Sequence, residues 1–431
     1  MARLSVDETA RAVGGRVTSG DPQAHWEGAA IDSRKVSGGE LFFAFAGEHT
    51  DGHRFVGDAF ARGAAAAIVQ QPVEGLSGGA VIQVEDTFKA LHDLARTVRA
   101  RLPRKLIGIT GSAGKTTTKE LLAAMLATRF SVYRTPGNLN NLYGFPLSLL
   151  NVPEGTEWMV AEMGMSTPGE LRQLSLMGRP DVALFTVVRP AHLEFFDSVQ
   201  GIAEAKAELM AGLAPDGLIV ANADDPEVTR IARRHAAEKG NRIVWYGVHS
   251  EGDVRLRDLA PEPEGVGSRF RLEAGGEVQE VRLPLHGLYN AENCLAAAAC
   301  AWSLGVPLAE IAAAVREVRP AAMRGVVHQV AGPRGSYTLV DDSYNSNPDA
   351  LGRALEGAAL LRGGRRVAVL GEMRELGPEG PRFHRESGER AAALGFASVA
   401  GVGELARDLA AGAEAAGTAA LWFPDAAAAA D

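Results

Sequence analysis

The run Leu106-Ile-Gly-Ile-Thr-Gly-Ser-Ala-Gly-Lys-Thr-Thr-Thr118 takes a short apolar strand into a glycine turn and then into a lysine that opens a helix. Backbone N–H groups of such a turn and of the first helical turn point at phosphate oxygens. The Lys115 ammonium adds a mobile positive charge, and the Thr116 hydroxyl suits Mg²⁺. The usual spacing has a further glycine five positions before Gly114, where this chain has Ile109. The flanks still supply the context: Leu106 to Thr110 is largely β-branched and apolar, and Leu121, Leu122, Met125 and Leu126 share one helical stripe. Gly111, Ser112, Ala113, Gly114, Lys115, Thr116 and Thr117 are therefore assigned to ATP binding.

Further polar groups follow later strands. Glu162, in Ala161-Glu-Met-Gly-Met165, and His192, in Val188-Arg-Pro-Ala-His-Leu-Glu194, both emerge where open α/β sheets place their sites, the carboxyl ends of strands. Either alone reads as a cap or a structural side chain; together with Lys115 they suggest metal binding shared with substrate phosphates. Lys206 lies in the helical stretch Gly201 to Met210 with no acid three or four positions away, and residue type alone leaves it a solvated lysine. Asp341-Asp-Ser-Tyr-Asn-Ser-Asn-Pro348 follows an apolar strand; it could hold a ribose or base edge, or simply cap a helix through Ser346 or Asn347.

The elements that must position these groups form an α/β chain. At 431 residues it exceeds what one core usually supports. Three units are expected. Residues 1–100 form a small α/β domain with strands at 41–45 and 65–69 and a helix from Thr87 to Arg101. Residues 105–319 form a mostly parallel sheet with helices on both faces, with strands at 158–161, 182–188, 218–221 and 243–246 and an antiparallel excursion over 253–285 before a helix from Ala291 to Leu304. Residues 320–431 form a Rossmann-like domain in which Tyr337 to Val340 and Val367 to Leu370 alternate with helices, and its last residues resemble a helix cut short.

Composition excludes several partners. A net charge of −9 gives no footing for nucleic acid or an anionic membrane. Cys294 and Cys300 are spaced for neither zinc nor a disulfide framework and read as core thiols. No apolar stretch of membrane-spanning length and no signal-peptide core is present, so a cytoplasmic protein without integral membrane association is expected.

With these residues aligned, the chain resembles the Mur ligase family of ATP-dependent amide-bond-forming enzymes over nearly its whole length. Thr110-Gly-Ser-Ala-Gly-Lys-Thr116 is similar to that family's shortened phosphate loop. The resemblance implies that Lys206 is carbamylated and that it, Glu162, His192 and Thr116 hold Mg²⁺, with Lys115, His192 and Lys206 as the catalytic set. It also implies that His286-Gly-Leu-Tyr-Asn-Ala-Glu-Asn293 contacts adenine through Asn290 and Asn293, and that Arg324, Asp342 and Asn345 complete the ATP site. Ser33, Arg34, Asp51, Gly52 and His53 resemble uridine-nucleotide contacts, and Asn138, Asn140 and Asn141 a substrate loop.

Glu162-Met-Gly164, Asn138-Leu-Asn-Asn141, Asp342-Ser-Tyr-Asn-Ser-Asn-Pro348 and Leu370-Gly-Glu-Met-Arg-Glu-Leu-Gly377 with His384 resemble one branch of the family, and that likeness implies UDP-N-acetylmuramoyl-tripeptide and D-alanyl-D-alanine as substrates; a monomer is expected. The Asp-Asn-Pro-Arg motif of the tripeptide-forming sibling is absent. Rival readings are a folylpolyglutamate synthetase-like ligase, which would lack the first domain, and a nucleotide-gated binding subunit. The family's last domain continues into a Lys-Gly-Ser type turn that this chain does not reach, so a shortened last domain is expected.

Overall fold

The structure is a computed structural model describing residues 4–47, 50–102, 105–190, 194–263, 265–332 and 335–430. The first sheet has five strands in the order Arg16–Ser19, Ala80–Gln83, Ala66–Val69, Leu41–Phe43, Ala29–Ala30, parallel except for the first pair. Helix Thr87–Arg101 closes it, started by Asp86, whose carboxylate accepts from the N–H groups of Phe88 and Lys89.

The central sheet runs Val132–Arg134, Trp158–Glu162, Lys105–Thr110, Val182–Phe185, Leu218–Asn222, Arg242–Gly247 and Val254–Pro261, all in parallel. The antiparallel strands Ser268–Ala274 and Glu277–Leu283 extend its far edge. The expected β excursion is therefore part of the main sheet. The strand expected over 182–188 ends at Phe185, because beyond it Thr186 and Val187 bond to the phosphate loop instead of continuing the ladder.

In the last unit Val367–Gly371, Ser398–Val402 and Ala419–Phe423 form a parallel three-stranded sheet, with Gly380–Ala393 and Ala406–Ala415 among its helices. The segment expected to alternate with it, Tyr337 to Val340, lies instead in an in-register antiparallel hairpin of Val326–Gly332 with Gly335–Asp341. Pairing seven residues with their immediate neighbours in sequence is a local solution that needs no crossover.

The joins between units differ in kind. The first sheet and the lower face of the central sheet share one apolar core, in which Leu91 and Leu94 belong with Phe145, Leu149, Leu171 and Leu174. Polar groups lock the same join: Arg99 donates to the carbonyls of Gly178 and Arg179 at the end of helix Glu170–Gly178, where a cation is favoured. The last unit keeps its own core around Leu355, Met373, Val399 and Leu409.

Asn151 completes the first join. Its Oδ1 accepts from Ala29 N–H at 3.0 Å, while its Nδ2 donates to the carbonyls of Ala29 at 2.9 Å and Leu147 at 2.8 Å, so a side chain of the central unit pairs the edge of the first sheet. Asn151→Ala leaves buried backbone groups unpaired and is expected to destabilise the protein by about 1–3 kcal/mol, measured as a lower urea midpoint.

Candidate functional site

Helix Lys115–Leu126 begins at Gly114 with φ 81°, and Gly111 has φ 154°. A Cβ at Gly114 would stand 2.1 Å from Asn293 Oδ1, and one at Gly111 would stand 1.8 Å from Thr186 Oγ1. Both positions therefore require glycine on grounds of space as well as conformation. Thr186 donates to the Ala113 carbonyl at 2.6 Å, and Ser112 N–H donates to Val187 C=O at 2.7 Å. The turn is held from behind, and the N–H groups opening the helix, which have no intrahelical partner, face the cleft.

That cleft has an empty volume of about 1040 Å³, open mouth included. It is lined by Ser112, Ala113, Gly114, Lys115, Thr116 and Thr117 from the loop, Asn290 and Asn293 from helix Tyr289–Ser303, and Arg324, Asp342 and Asn345 from the last unit. The structure thus brings together every expected nucleotide residue except Gly111, which braces the loop against Thr186. Asn290 and Asn293, one helical turn apart, are ordered as a pair: Asn293 Nδ2 donates to Asn290 Oδ1 at 2.9 Å, and Asn290 Nδ2 to His286 C=O at 2.7 Å.

Lys115 is folded back onto the Gly111 carbonyl at 2.8 Å. Burial lowers its pKa from the ordinary lysine value; Glu162 works against that shift and Arg324 adds to it. Arg324 stacks over the Tyr344 ring with its guanidinium 4.2 Å from the centroid. Burial raises the Asp342 carboxyl, against the pull of Arg324.

Glu162, 2 % exposed, accepts from the Thr116 hydroxyl at 2.7 Å through Oε2 and from Asn140 Nδ2 at 2.8 Å through Oε1. These are hard oxygen donors converging at the start of the phosphate-loop helix, the donor type that suits Mg²⁺. Asn140, expected in a substrate loop, is placed on this carboxylate. Its loop is anchored by the fully buried Lys119, which donates to the carbonyls of Thr135 at 2.8 Å and Gly137 at 3.2 Å.

Lys206 is 3 % exposed in helix Val199–Ala207, and its side chain makes no hydrogen bond or ion pair among the described residues. Burial, with Lys115 as a second cation, drives its pKa well below the usual lysine value. His192 lies outside the described residues.

The uridine-side residues follow the carboxyl ends of adjacent parallel strands, with Ser33–Lys35 after Ala29–Ala30 and Gly52–Phe55 after Leu41–Phe43. Arg34 pairs with Asp32 through two bonds of 2.9 and 2.8 Å. His53 accepts from Gln70 N–H at Nε2 and lies 2.6 Å from Asp51 Oδ1 through Nδ1, so its ring is a brace within the first unit. The backbone N–H and ring of His53 hold the Asp51 carboxyl below the usual range. Asn141 accepts from the N–H groups of Tyr143 and Gly144, and Asn138 is exposed on the same loop.

Sequence reasoning did not find Thr186, Asn222 or Tyr246. Asn222 Nδ2 donates to Thr186 C=O, and the buried Tyr246 hydroxyl donates to the carbonyls of Phe185 and Thr186, so both fix the strand end behind the phosphate loop. The available signal was their place at strand ends on the nucleotide edge of the sheet.

A strand-ending phosphate loop, a carboxylate of the type that suits Mg²⁺ and polar groups from two units share one cleft, an arrangement that suits an ATP-dependent ligase, and the chain belongs to the Mur ligase family. It matches the Mur ligase middle domain over residues 109–301, the Mur ligase glutamate ligase domain over 326–431, and the Mur ligase family catalytic domain over 25–99. Similar curated proteins are the UDP-N-acetylmuramoyl-tripeptide–D-alanyl-D-alanine ligases of Bacillus subtilis strain 168, 35 % identical over 84 % of this chain and 76 % of that one, and of Escherichia coli strain K12, 35 % identical over 88 % and 81 %.

Among solved structures, MurF from Acinetobacter baumannii superposes with a TM-score of 0.86 at 31 % identity, covering 98 % of this chain and 90 % of that one. MurF ligase from Thermotoga maritima, in complex with ADP, gives 0.76 at 29 % identity, covering 93 % and 95 %. Folylpolyglutamate synthase of Mycobacterium tuberculosis, at 16 % identity and a TM-score of 0.63, shares the fold alone. No helix among the described residues is long and apolar enough to cross a membrane.

Gly114→Ala combines a left-handed backbone with a collision at Asn293. The backbone alone costs about 1–3 kcal/mol, so ATP affinity is expected to fall about tenfold or more with the far-ultraviolet circular dichroism unchanged, as read by titration of a fluorescent ATP analogue.

Proposed function

We propose that the protein joins D-alanyl-D-alanine to UDP-N-acetylmuramoyl-tripeptide at the expense of ATP, forming the pentapeptide precursor of peptidoglycan. The observation that carries the reading is the cleft itself, where phosphate-loop donors and the Thr116–Glu162 pair face Arg324, Asp342 and Asn345 of the last unit. The relatives named for this reaction, at about a third identity over most of the chain, support it.

The terminal carboxylate of the tripeptide attacks the γ-phosphorus of ATP, the bond to the β-phosphate oxygen breaks, and an acyl phosphate and ADP result. The D-alanyl-D-alanine amine then attacks the acyl carbon, phosphate leaves, and the nitrogen gives up a proton. The first step brings two anions together. Lys115, released from the Gly111 carbonyl, offsets their repulsion and stabilises charge on the transferring group. The loop N–H groups hold the β- and γ-phosphates in line with the attacking oxygen, where correct orientation replaces a costly encounter. Mg²⁺ bound at Thr116 and Glu162 would supply Lewis-acid neutralisation of the phosphates.

The first unit, residues 1–100, would take the UDP end through Ser33, Arg34, Asp51, Gly52 and His53. Arg34 is tied only by an exposed pair of small net worth, so its guanidinium is free to turn to a phosphate. Residues 105–319 carry the chemistry and 320–431 close over the nucleotide. His192 would join the metal ligands.

Lys206 is proposed to act as a carbamate. Carbamylation needs the neutral amine, and the fraction of neutral amine rises as pH passes upward through the amine's pKa. With that value lowered by burial, the neutral form is reached at lower pH than for an exposed lysine. The product is a carboxylate in a place otherwise occupied by a second buried cation.

Two outcomes test the proposal. Phosphate release from Mg·ATP and UDP-N-acetylmuramoyl-tripeptide is expected only when D-alanyl-D-alanine is present, and release with glutamate and a folate in its place would overturn the substrate assignment. Lys206→Ala is expected to lose turnover and recover part of it with a short carboxylic acid; full activity without rescue removes the carbamate.

A further inference from the structure

A chain of alternating charges crosses from the phosphate loop to the last unit, running from behind the nucleotide cleft into its wall, where Asp349, Arg353 and Glu292 lie. Its centre is Arg189. The backbone of this residue is bound reciprocally to the phosphate loop: Arg189 N–H donates to Ser112 Oγ at 3.0 Å, and the Ser112 hydroxyl donates to Arg189 C=O at 3.0 Å. Its guanidinium reaches Asp225, 1 % exposed, at 2.8 Å through Nη1, and Asp349 of the last unit at 3.5 Å through Nε. Asp349 also pairs with Arg353 at 3.1 Å, and Arg353 returns to Glu292 of the central unit at 2.8 Å.

Asp225 is a fixed anchor in this chain. One oxygen caps helix Pro226–Lys239 by accepting from Glu227 and Val228 N–H; the other accepts from Val188 N–H at 2.8 Å as well as from Arg189. Arg189 is thus clamped at its backbone and at one face of its guanidinium, leaving the other face for Asp349. Five residues on, the last unit grips the same segment again, where Glu194 N–H donates to Glu375 C=O at 3.2 Å. Glu375 has φ 61°, a left-handed conformation uncommon for such a residue. Its turn is stapled by the fully buried His384, which accepts from Met373 N–H at 2.9 Å and bonds Gly380 C=O at 2.7 Å.

We propose that Arg189 is a positioning residue that couples docking of the last unit to the geometry of the phosphate loop, with Asp349 as its docking partner. When the last unit docks, Asp349 satisfies the free face of the guanidinium, and because the Arg189 backbone is bonded to Ser112, the loop is held in its phosphate-accepting form. Arg189 is not among the residues that line the cleft. Its effect runs through Ser112, and the partners on the two sides belong to units that, among the described residues, share no buried apolar cluster.

The test is a double-mutant cycle of Arg189→Met and Asp349→Asn in the full chain, read in two ways. The kinetic reading rests on the ligase reaction proposed above: each single variant is expected to lower kcat about three- to tenfold with little change in KM for the tripeptide, and the double variant to be no worse than the poorer single. The second reading does not depend on the reaction. Because Cys294 and Cys300 are fully buried, dyes placed on cysteines introduced at Glu238 and Glu389 report the separation of the units. The docked fraction is expected to fall alike in both variants, and added salt to lower it more steeply in the parent chain than in Asp349→Asn, where Arg353 and Glu292 remain as the salt-sensitive pair. Effects that multiply in the double variant, or a docked fraction that neither substitution changes, overturn the proposal. If Arg189→Met fails to fold, Arg189→Gln, which keeps donors for Asp225, completes the same cycle.

Discussion

One turn of backbone between Gly111 and Lys115 governs the site, and what holds that turn is a hydroxyl from the neighbouring strand. Thr186 Oγ1 occupies the space where a side chain at Gly111 would be and donates to the Ala113 carbonyl. On the opposite side Asn293 fills the space over Gly114. Both glycines are present because other groups need their volume; the Ala113 carbonyl is bonded to Thr186, the Gly111 carbonyl to Lys115 and the Gly114 carbonyl to Thr118 N–H. With the Ser112 N–H given to Val187, the N–H groups that open the helix are what remain for a ligand, so the anion site follows from an accounting of backbone partners. Ending the strand Val182–Phe185 before Thr186 is the structural condition for all of this.

The three units are joined by two kinds of physics. Between the first and second, a continuous apolar core with Arg99 and Asn151 across the seam makes separation as costly as opening a domain interior. Between the second and third, Gly357 lies close against Gly287 and His286, and the polar contacts beside the cleft are ion pairs and single hydrogen bonds, Arg189 with Asp349, Arg353 with Glu292, and Glu194 with Glu375. Such contacts are screened by salt and individually weak, so they can form and break while both units stay folded. A reaction that needs nucleotide gripped from two units and product released afterwards is served by a firm seam on one side and a polar, reversible one on the other.

Much of this was legible in the sequence wherever a local rule decides the outcome. Helix Thr87–Arg101 was readable to the residue because its cap and its apolar stripe are both encoded nearby. The phosphate loop was readable despite the missing glycine because strand and helix flank it. The hairpin of the last unit was misjudged because Tyr337 to Val340 carries the same β-branched signature whether its partner is a parallel neighbour or the preceding strand. Asn140 was read as a substrate contact from its loop, and its bond to Glu162 depends on a fold-level approach no spacing reports. Nothing in the residue types around Lys119 sets it apart. Its complete burial against two carbonyls is visible only once the loop from Thr135 to Gly137 is placed over it. Caps and stripes are local, whereas partners more than fifteen residues apart are set by topology.

Lys206 shows the limit of residue type most clearly, and also how structure removes it. In sequence it is a helical lysine without an acid one turn away, which describes most solvated lysines. In the fold it is 3 % exposed with Lys115 as its electrostatic neighbour. A buried ammonium without a counter-ion is strongly disfavoured, and a second cation nearby deepens the penalty. Two states relieve it. Loss of the proton removes the charge, and addition of carbon dioxide to the neutral amine, with a second proton leaving the nitrogen, would give a carboxylate and turn a repulsive neighbour into an attractive one. The second state follows chemically from the first, because only the unprotonated nitrogen carries the lone pair that attacks. The burial that makes Lys206 a poor cation therefore favours the carbamate proposed above, and Lys115, which depresses the charge of the amine, would stabilise that carboxylate.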